Sequence, residues 1–200
     1  MASNKSSKDT SQSRTPEERG ASRDDSKKKQ KKEFTFFYTS ESPFSQFHPA
    51  NFEVDGVQYT CAEMYMMHQK AVLFGDTAIA AKILTASKPG AMKALGRKVQ
   101  NFDDDVWKER RVKIVKKGNL AKFSQNEDLK ERLMATKGTT LVEASPRDRI
   151  WGIGLGKDNP KALSKDTWRG QNLLGYILTE VREELEKQSQ EVKKSQEVKK

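Results

Sequence analysis

The large hydrophobic residues occupy one continuous part of the chain. All three Trp, all four Tyr and all nine Phe lie between residues 34 and 181. The segments on either side hold few apolar side chains, so they contribute little to a hydrophobic core. This distribution predicts a single core built from about 150 residues, which is an ordinary size for one domain.

Short segments of this part have the character of β-strands. Residues 34–38 are mostly aromatic, and residues 140–144 mix apolar and polar side chains as a half-buried strand does. Two further apolar segments flank Asp55-Gly56, a dipeptide that favours the two-residue turn of a β-hairpin. Residues 150–154 fit either another strand or a loop bent by its glycines.

Most of the remaining residues have helical character, and several segments begin at residues that cap helices. Thr60 precedes Glu63 by three residues, which is the spacing of a capping box, and Asp76 is a second cap. The aspartates 103–105 place negative charge where a helix dipole favours it. The predicted helices run from Thr60 to about residue 74 and over 77–86, 91–99, 106–123, 127–136 and 172–186. We therefore predict an α+β fold, a mostly helical single domain over 34–186 with a few short strands.

Charged residues are densest at the two ends of the sequence. The chain has 200 residues and a formal net charge of +10, of which residues 1–33 hold ten Lys/Arg against six Asp/Glu. We expect this arm to be disordered, because it has too little apolar surface to offset the entropy of ordering. Its run 27–32 has five lysines and is a candidate contact for nucleic acid or a nuclear address. Residues 187–200 form a charged tail with a repeated SQEVKK, which resembles a fraying helical extension with no core beneath it.

Several classes of protein are excluded by what the sequence lacks. Its apolar runs are too short to cross a bilayer, and we expect no secretory signal, membrane contact or cofactor. The single Cys61 cannot form an intramolecular disulfide, and two histidines with no further ligand pair make a metal site improbable. Neither a phosphate-binding loop nor a dinucleotide-binding glycine motif is present. We expect a cytoplasmic protein, with a nucleus-directed one as the alternative that the basic arm allows.

One candidate for chemistry lies in the helix that follows Thr60. Glu63 and Lys70 are seven residues apart, nearly two helical turns, so both project from one face at a separation of about 10 Å along the axis. That separation suits two groups flanking a small ligand. The alternative is that Glu63 completes the capping box with Thr60 and that Lys70 is simply exposed.

A second candidate is the stretch around Asp148. Trp151 offers a stacking face, and the nearby Gly152 lets a ligand approach the backbone. Asp148 has the alternative of a surface pair with a neighbouring arginine. Arg97 offers a contact for phosphate, with plain solvation as its alternative.

The order of these motifs resembles the NADAR superfamily of YbiA-like N-glycosidases over about residues 34–185. The motifs that carry the resemblance are Phe44-Ser45-Gln46-Phe47, Ala62-Glu63-Met64-Tyr65, Gln69-Lys70-Ala71, Ala94-Leu95-Gly96-Arg97, Trp107, Lys122-Phe123-Ser124-Gln125-Asn126, Leu141-Val142-Glu143-Ala144, Asp148-Arg149-Ile150-Trp151-Gly152-Ile153-Gly154 and Asn172-Leu173-Leu174-Gly175. The resemblance implies hydrolysis of the bond between a ribose and a base-like amine. Members act on phosphorylated ribosylamino-pyrimidine intermediates of riboflavin biosynthesis, and relatives remove ADP-ribose from guanine.

The resemblance also implies roles for particular residues. Glu63, Lys70 and Asp148 become candidate catalytic groups. The implied substrate-binding residues are Phe44, Arg97, Trp107, Trp151, Gly152 and Asn172.

Two routes and one alternative function remain open from the sequence. In the first route, Asp148 and Glu63 divide the stabilisation of the ribosyl cation and proton donation to the leaving base. In the second route, Lys70 attacks C1′ and forms a Schiff base. The alternative function is a non-catalytic module that binds ADP-ribose or a nucleotide and reaches nucleic acid through its basic arm.

Overall fold

The computed structural model describes residues 33–197, and their architecture is α+β, as predicted. The strands are β1 (Phe34–Phe37), β2 (Phe52–Val54), β3 (Val57–Tyr59) and β4 (Thr140–Glu143). The helices are α1 (Ala62–Leu73), α2 (Thr77–Thr85), α3 (Pro89–Gly96), α4 (Asp104–Ser124), α5 (Glu127–Met134) and α6 (Leu173–Glu197). The glycine-containing segment 150–154 is a loop rather than a strand.

The four described strands form two small pairs. β2 and β3 are antiparallel around Asp55 and Gly56, whose φ angles of 51° and 78° are those of the predicted hairpin turn. β1 pairs in parallel with β4, and Phe37 lies opposite Glu143 at the end of the register. This parallel pairing places the end of β4 beside the loop that follows β1.

Of the caps predicted at Thr60 and Asp76, the one at Asp76 is correct and the one at Thr60 is wrong. Asp76 accepts from the backbone N–H of Ile79, and Asp103 caps α4. α1 begins one residue later than the capping box requires, because the Sγ of Cys61 accepts from Met64 N instead. Thr60 lies outside the helix.

α3 starts earlier than predicted because Pro89 occupies its first turn. Proline has no N–H, and an N–H in the first turn would make no hydrogen bond within the helix. The helix ends at Gly96, which packs directly against Met67 of α1. A Cβ at Gly96 would lie 2.0 Å from the sulfur of Met67. The close approach brings α3 onto α1.

α1 is the centre of the core. Its residues Met64, Tyr65, Met66 and Met67 are all buried, and α2, α3 and α4 pack around the helix. α6 packs on α4 and on β4. These contacts place the first turn of α1 and the end of β4 in one packed core.

The structure describes most of the C-terminal tail but not the N-terminal basic run. α6 continues beyond the predicted end at residue 186 as far as Glu197, and residues 191–196 are exposed, as expected of an extension without a core. The basic run 27–32, our candidate nucleic-acid contact, lies outside the described residues and stays a prediction. No helix within 33–197 has both the length and the apolar composition needed to cross a membrane.

Candidate active site

The first turn of α1 buries a carboxyl group. The backbone N–H of Glu63 donates to the carbonyl of Gln46 at 2.9 Å, and the Glu63 side chain is 2% exposed. Its Oε1 atom has no hydrogen-bond partner among the described residues. Glu63 therefore does not reciprocate with Thr60, whose hydroxyl contacts the sulfur of Met64 instead. The capping-box alternative for Glu63 is wrong.

A second carboxyl group stands at the end of β4. The backbone of Glu143 is fixed on both sides, because its N–H donates to Asn172 Oδ1 at 3.0 Å and its carbonyl accepts from Ile153 N at 3.0 Å. Its Oε2 atom is buried and, within residues 33–197, lacks a hydrogen-bond partner. The backbone of Glu143 is therefore held in place while this oxygen of its carboxyl group stays unsatisfied.

The third carboxyl group belongs to a tight turn. Asp148 Oδ1 accepts from the backbone N–H groups of Ile150 at 2.9 Å and Trp151 at 2.8 Å. The Asp148 carbonyl also accepts from Gly154 N at 3.0 Å, which closes the loop on itself. These bonds fix the direction of the carboxylate, so the alternative of a surface pair with an arginine is not what orients it.

The three carboxyl groups line one cleft with two compartments. The inner cavity has a volume of about 210 Å³ and is lined by Ser45, Gln46, Phe47, Glu63, Met66, Met67, Lys70, Lys93, Gly96, Arg97, Glu143, Asp148, Ile150 and Trp151. The outer cleft, of about 800 Å³, shares Glu143 and Asp148 with the inner cavity and adds Arg147 and Arg149. A ligand can therefore extend from one compartment into the other.

Burial and mutual repulsion hold two of these groups toward their neutral forms. Desolvation raises the pKa of Glu63 to about 7, and the negative charge of Asp148 adds to the rise, whereas Lys93 and Arg97 oppose it. Desolvation likewise raises the pKa of Glu143 to about 8, with Asp148 and Glu63 adding to it and Lys93 opposing. Burial therefore favours the protonated form of both glutamates.

Basic side chains also line the cleft. Lys93 and Arg97, four residues apart at the end of α3, line both compartments. Lys70 lines only the inner cavity, where its Nζ donates to the carbonyl of Gly96 at 2.9 Å and lies 4.0 Å from the centre of the Phe102 ring. Burial lowers the pKa of Lys70. The alternative of a simply exposed Lys70 is wrong.

The structure brings together five of the nine residues proposed from sequence. Glu63, Lys70, Arg97, Asp148 and Trp151 all line the inner cavity. Their chemical roles stay predictions. The other four lie outside both compartments.

Two of those four are part of the hydrophobic core. Phe44 packs on Phe37 and Phe123, with ring centres 5.8 and 6.5 Å away. Trp107 is buried on α4, and the Nζ of Lys70 lies 5.9 Å from its ring. Neither ring lines the inner cavity or the outer cleft, so the substrate-binding role expected for Phe44 and Trp107 is not supported by their positions.

The other two shape the backbone. A Cβ on Gly152 would lie 2.7 Å from the carbonyl oxygen of Glu143, so the glycine is needed for packing. The fully buried Asn172 accepts from Glu143 N and donates to the carbonyl of Leu141 at 3.0 Å. Its amide is therefore occupied by β4 rather than available to a ligand.

Sequence reasoning missed Glu143 and Lys93. Glu143 has the appearance of an outward polar residue on a half-buried strand, and only the fold shows that it faces a cleft. Lys93 had a usable signal, since its spacing of four from Arg97 puts both on one helix face. Within residues 33–197, no three His, Cys, Asp or Glu side chains are grouped as ligands for a metal ion.

Comparison with known proteins agrees with this architecture. Residues 30–186 match the NADAR domain. An N-glycosidase of Acanthamoeba polyphaga mimivirus is 47% identical over 146 residues, covering 70% of this chain and 86% of the viral protein. Protein irg-1 of Caenorhabditis elegans is 41% identical over 170 residues, covering 77% and 80%. The NMR structure of the E. coli protein YbiA superposes with a TM-score of 0.67 at 29% identity, covering 80% of this chain and 89% of that one.

These matches confirm the class expected from the motifs, an enzyme of the N-glycosidase type with an α+β fold. The chain belongs to the NADAR family. This class favours the enzyme over the non-catalytic binding module that the sequence left open.

Proposed function

We propose that this chain hydrolyses the N-glycosidic bond between a phosphorylated ribose and a base-like amine, using Glu63, Glu143 and Asp148. The observation that supports the proposal most strongly is the convergence of these three carboxyl groups on one cavity from α1, β4 and the turn after β4. Within residues 33–197, Glu63 and Glu143 each have a buried oxygen without a hydrogen-bond partner, and such groups are costly to bring together unless a ligand uses them.

The reaction needs both a negative charge and a proton donor. Breaking the C1′–N bond leaves positive charge on the ribose ring and an electron pair on the leaving nitrogen. A carboxylate facing C1′ stabilises the cation, and a proton delivered to the nitrogen makes the base a better leaving group. Water then adds its oxygen to C1′ and gives its proton to a carboxylate.

The environments of the three groups suggest how they divide this work. Asp148 is oriented by two backbone N–H groups, which suits the carboxylate that faces C1′. Glu63 and Glu143 have pKa values raised to about 7 and about 8, so a proton is present on this pair near neutral pH. We assign proton donation to Glu63 and Glu143, because burial favours the protonated form of each.

The basic wall and the aromatic rings account for the rest of the substrate. Lys93 and Arg97 supply positive charge for a phosphate on the ribose. Phe47 and Trp151 offer faces on which a base can stack. The outer cleft, with Arg147 and Arg149, gives room for a second phosphate and a larger group, which keeps ADP-ribosyl-guanine as a second candidate substrate.

The covalent route through Lys70 is the less favoured of the two. Its Nζ donates to the Gly96 carbonyl and faces the Phe102 ring, so the amine already has partners in the wall of the cavity. Attack on C1′ would require breaking both contacts. We therefore assign Lys70 to the shape and charge of the wall.

The test is hydrolysis by the full-length chain. Ribosylamino-pyrimidine phosphate and ADP-ribosyl-guanine are each incubated with the protein, and the released base is identified by mass. We expect release from at least one of them, with the other product carrying the ribose and its phosphate. Binding of both compounds without release of base would overturn the proposal and favour a binding module.

A further inference from the structure

We infer that Lys122 on α4 is a positioning residue for this reaction, because it fastens the loop that forms one wall of the inner cavity. The loop consists of residues 43–47, and we call it the 43–47 loop. The inference rests on the proposed function for the identity of the reaction. It concerns a buried cation that the mechanism itself does not use.

Lys122 has an unusual set of partners. The residue is 0% exposed, and its Nζ donates to the carbonyls of Pro43 at 2.7 Å and Ser45 at 3.0 Å. No carboxylate of residues 33–197 lies within ion-pair distance of this amine. Burial lowers the pKa of Lys122 to about 7. Two of its N–H groups are therefore used by the two backbone carbonyls.

A buried lysine without a counter-charge is unfavourable in a protein interior. Burying an amine without a counter-charge costs free energy, and an apolar residue of similar size is often neutral or stabilising at such a site. A lysine at this position therefore needs a reason other than stability. The reason that the contacts supply is control of the 43–47 loop.

The 43–47 loop is bonded to the site on two more sides. Asn119, one turn before Lys122 on α4, donates from Nδ2 to Gln46 Oε1 at 3.0 Å. The Gln46 carbonyl in turn accepts from Glu63 N at 2.9 Å. Ser45, Gln46 and Phe47 all line the inner cavity, so movement of this loop changes both the wall and the start of α1.

The chain contains a matched arrangement away from the cleft. Arg182 is also buried and donates to the carbonyls of Thr136 at 2.7 Å and Thr139 at 2.9 Å. The turn that it fastens, 136–139, lines neither the inner cavity nor the outer cleft. Arg182→Met therefore reproduces the loss of a buried cation without touching the wall of the site.

The experiment compares Lys122→Met, Asn119→Ala and Arg182→Met in the full-length protein. It measures KM and kcat on the substrate that the parent hydrolyses, the Kd of ribose 5-phosphate, and the melting temperature. We expect Lys122→Met and Asn119→Ala to raise KM and Kd by about tenfold with a smaller change in kcat, since a displaced wall weakens substrate positioning. Arg182→Met should lower the melting temperature and leave KM and Kd unchanged.

Each outcome has a separate meaning. If Lys122→Met does not fold, as judged by circular dichroism, Asn119→Ala alone decides the matter. KM and Kd within twofold of the parent in the folded variants, or an equal rise in Arg182→Met, would overturn the inference. A parent that binds ribose 5-phosphate but hydrolyses nothing would overturn the proposed function, and the Kd values would then still test whether Lys122 positions the 43–47 loop.

Discussion

The side-chain oxygen of Asn172 accepts a hydrogen bond from the backbone N–H of Glu143 at 3.0 Å. The amide nitrogen of the same side chain donates to the carbonyl of Leu141. One side chain therefore satisfies two backbone groups of β4, as a neighbouring strand would. Asn172 adopts a φ of 53°, a left-handed conformation that asparagine tolerates better than most residues. The position of Glu143 thus depends on a residue that does not line the cleft.

Asn172→Ala should destabilise the fold. The substitution leaves Glu143 N and the Leu141 carbonyl without their partner in a buried setting, and it strains the backbone. We expect the free energy of unfolding to fall by about 2–4 kcal/mol. Denaturant unfolding measures it, with the exposed neighbour Gln171→Ala as the control. A loss as small as that of the control would mean that the two bonds do not support β4.

Gly152→Ala should also be poorly tolerated. Its Cβ would lie 2.7 Å from the Glu143 carbonyl oxygen, which is backbone and cannot move freely. At Gly156 the nearest atom would be 3.7 Å away, an ordinary contact, so Gly156→Ala is the matched control. We expect a clear fall in melting temperature for Gly152→Ala and little change for Gly156→Ala. Equal melting temperatures would remove the packing explanation for Gly152.

Glu143→Gln should change how stability depends on pH. The folded protein raises the pKa of Glu143 to about 8 from an ordinary 4.5, so between these values the native state holds a proton that the unfolded chain has lost. The contribution of Glu143 to the free energy of unfolding is therefore full at low pH and is lost as the pH rises to about 8, at up to about 1.4 kcal/mol per pH unit. Glutamine removes this dependence.

The measurement is the difference in unfolding free energy between Glu143→Gln and the parent from pH 5 to 8. We expect the unfolding free energy of the variant, relative to that of the parent, to increase steadily across this range. Glu131→Gln, at an exposed position on α5, is the control. A difference that stays constant with pH would show that the Glu143 carboxyl is not held protonated in the fold.

Borohydride present during turnover should leave Lys70 unmodified. In the carboxylate route no Schiff base forms, because the amine keeps its contacts with Gly96 and Phe102. Intact mass and peptide mapping after reduction give the answer. A ribosyl adduct on Lys70 that disappears in Lys70→Arg would establish the covalent route instead.

The sequence was most informative where a local signal decides the structure. Asp55-Gly56 predicted its hairpin because the turn needs positive φ at both positions, and Asp76 predicted its cap through its own side chain. At α1 the local signal misled us. Thr60 has the better spacing for a cap, but the chain uses the sulfur of Cys61, because the helix start is fixed by burial of Ala62 and Glu63.

The candidate site was predictable only in part, for a related reason. Glu63, Glu143 and Asp148 all appear in motifs that resemble the family, but Glu143 becomes a cleft residue only when β4 pairs in parallel with β1 and Asn172 holds its end. Asn172 and Gly152 belong to the same motifs, yet they support the backbone. A motif therefore indicates which residues surround the site. It does not distinguish the residues that face the ligand from the residues that support the backbone.

The rate of base release by carboxyl-to-amide variants tests the central claim most directly. Glu63→Gln, Glu143→Gln and Asp148→Asn keep the shape of each side chain and remove its ability to donate a proton or carry a negative charge. We predict that each lowers kcat by about 10²–10⁴-fold, the usual contribution of a group that transfers a proton or stabilises charge, while Glu131→Gln retains the parent rate. Folded variants of all three residues that release base as fast as the parent would contradict the account.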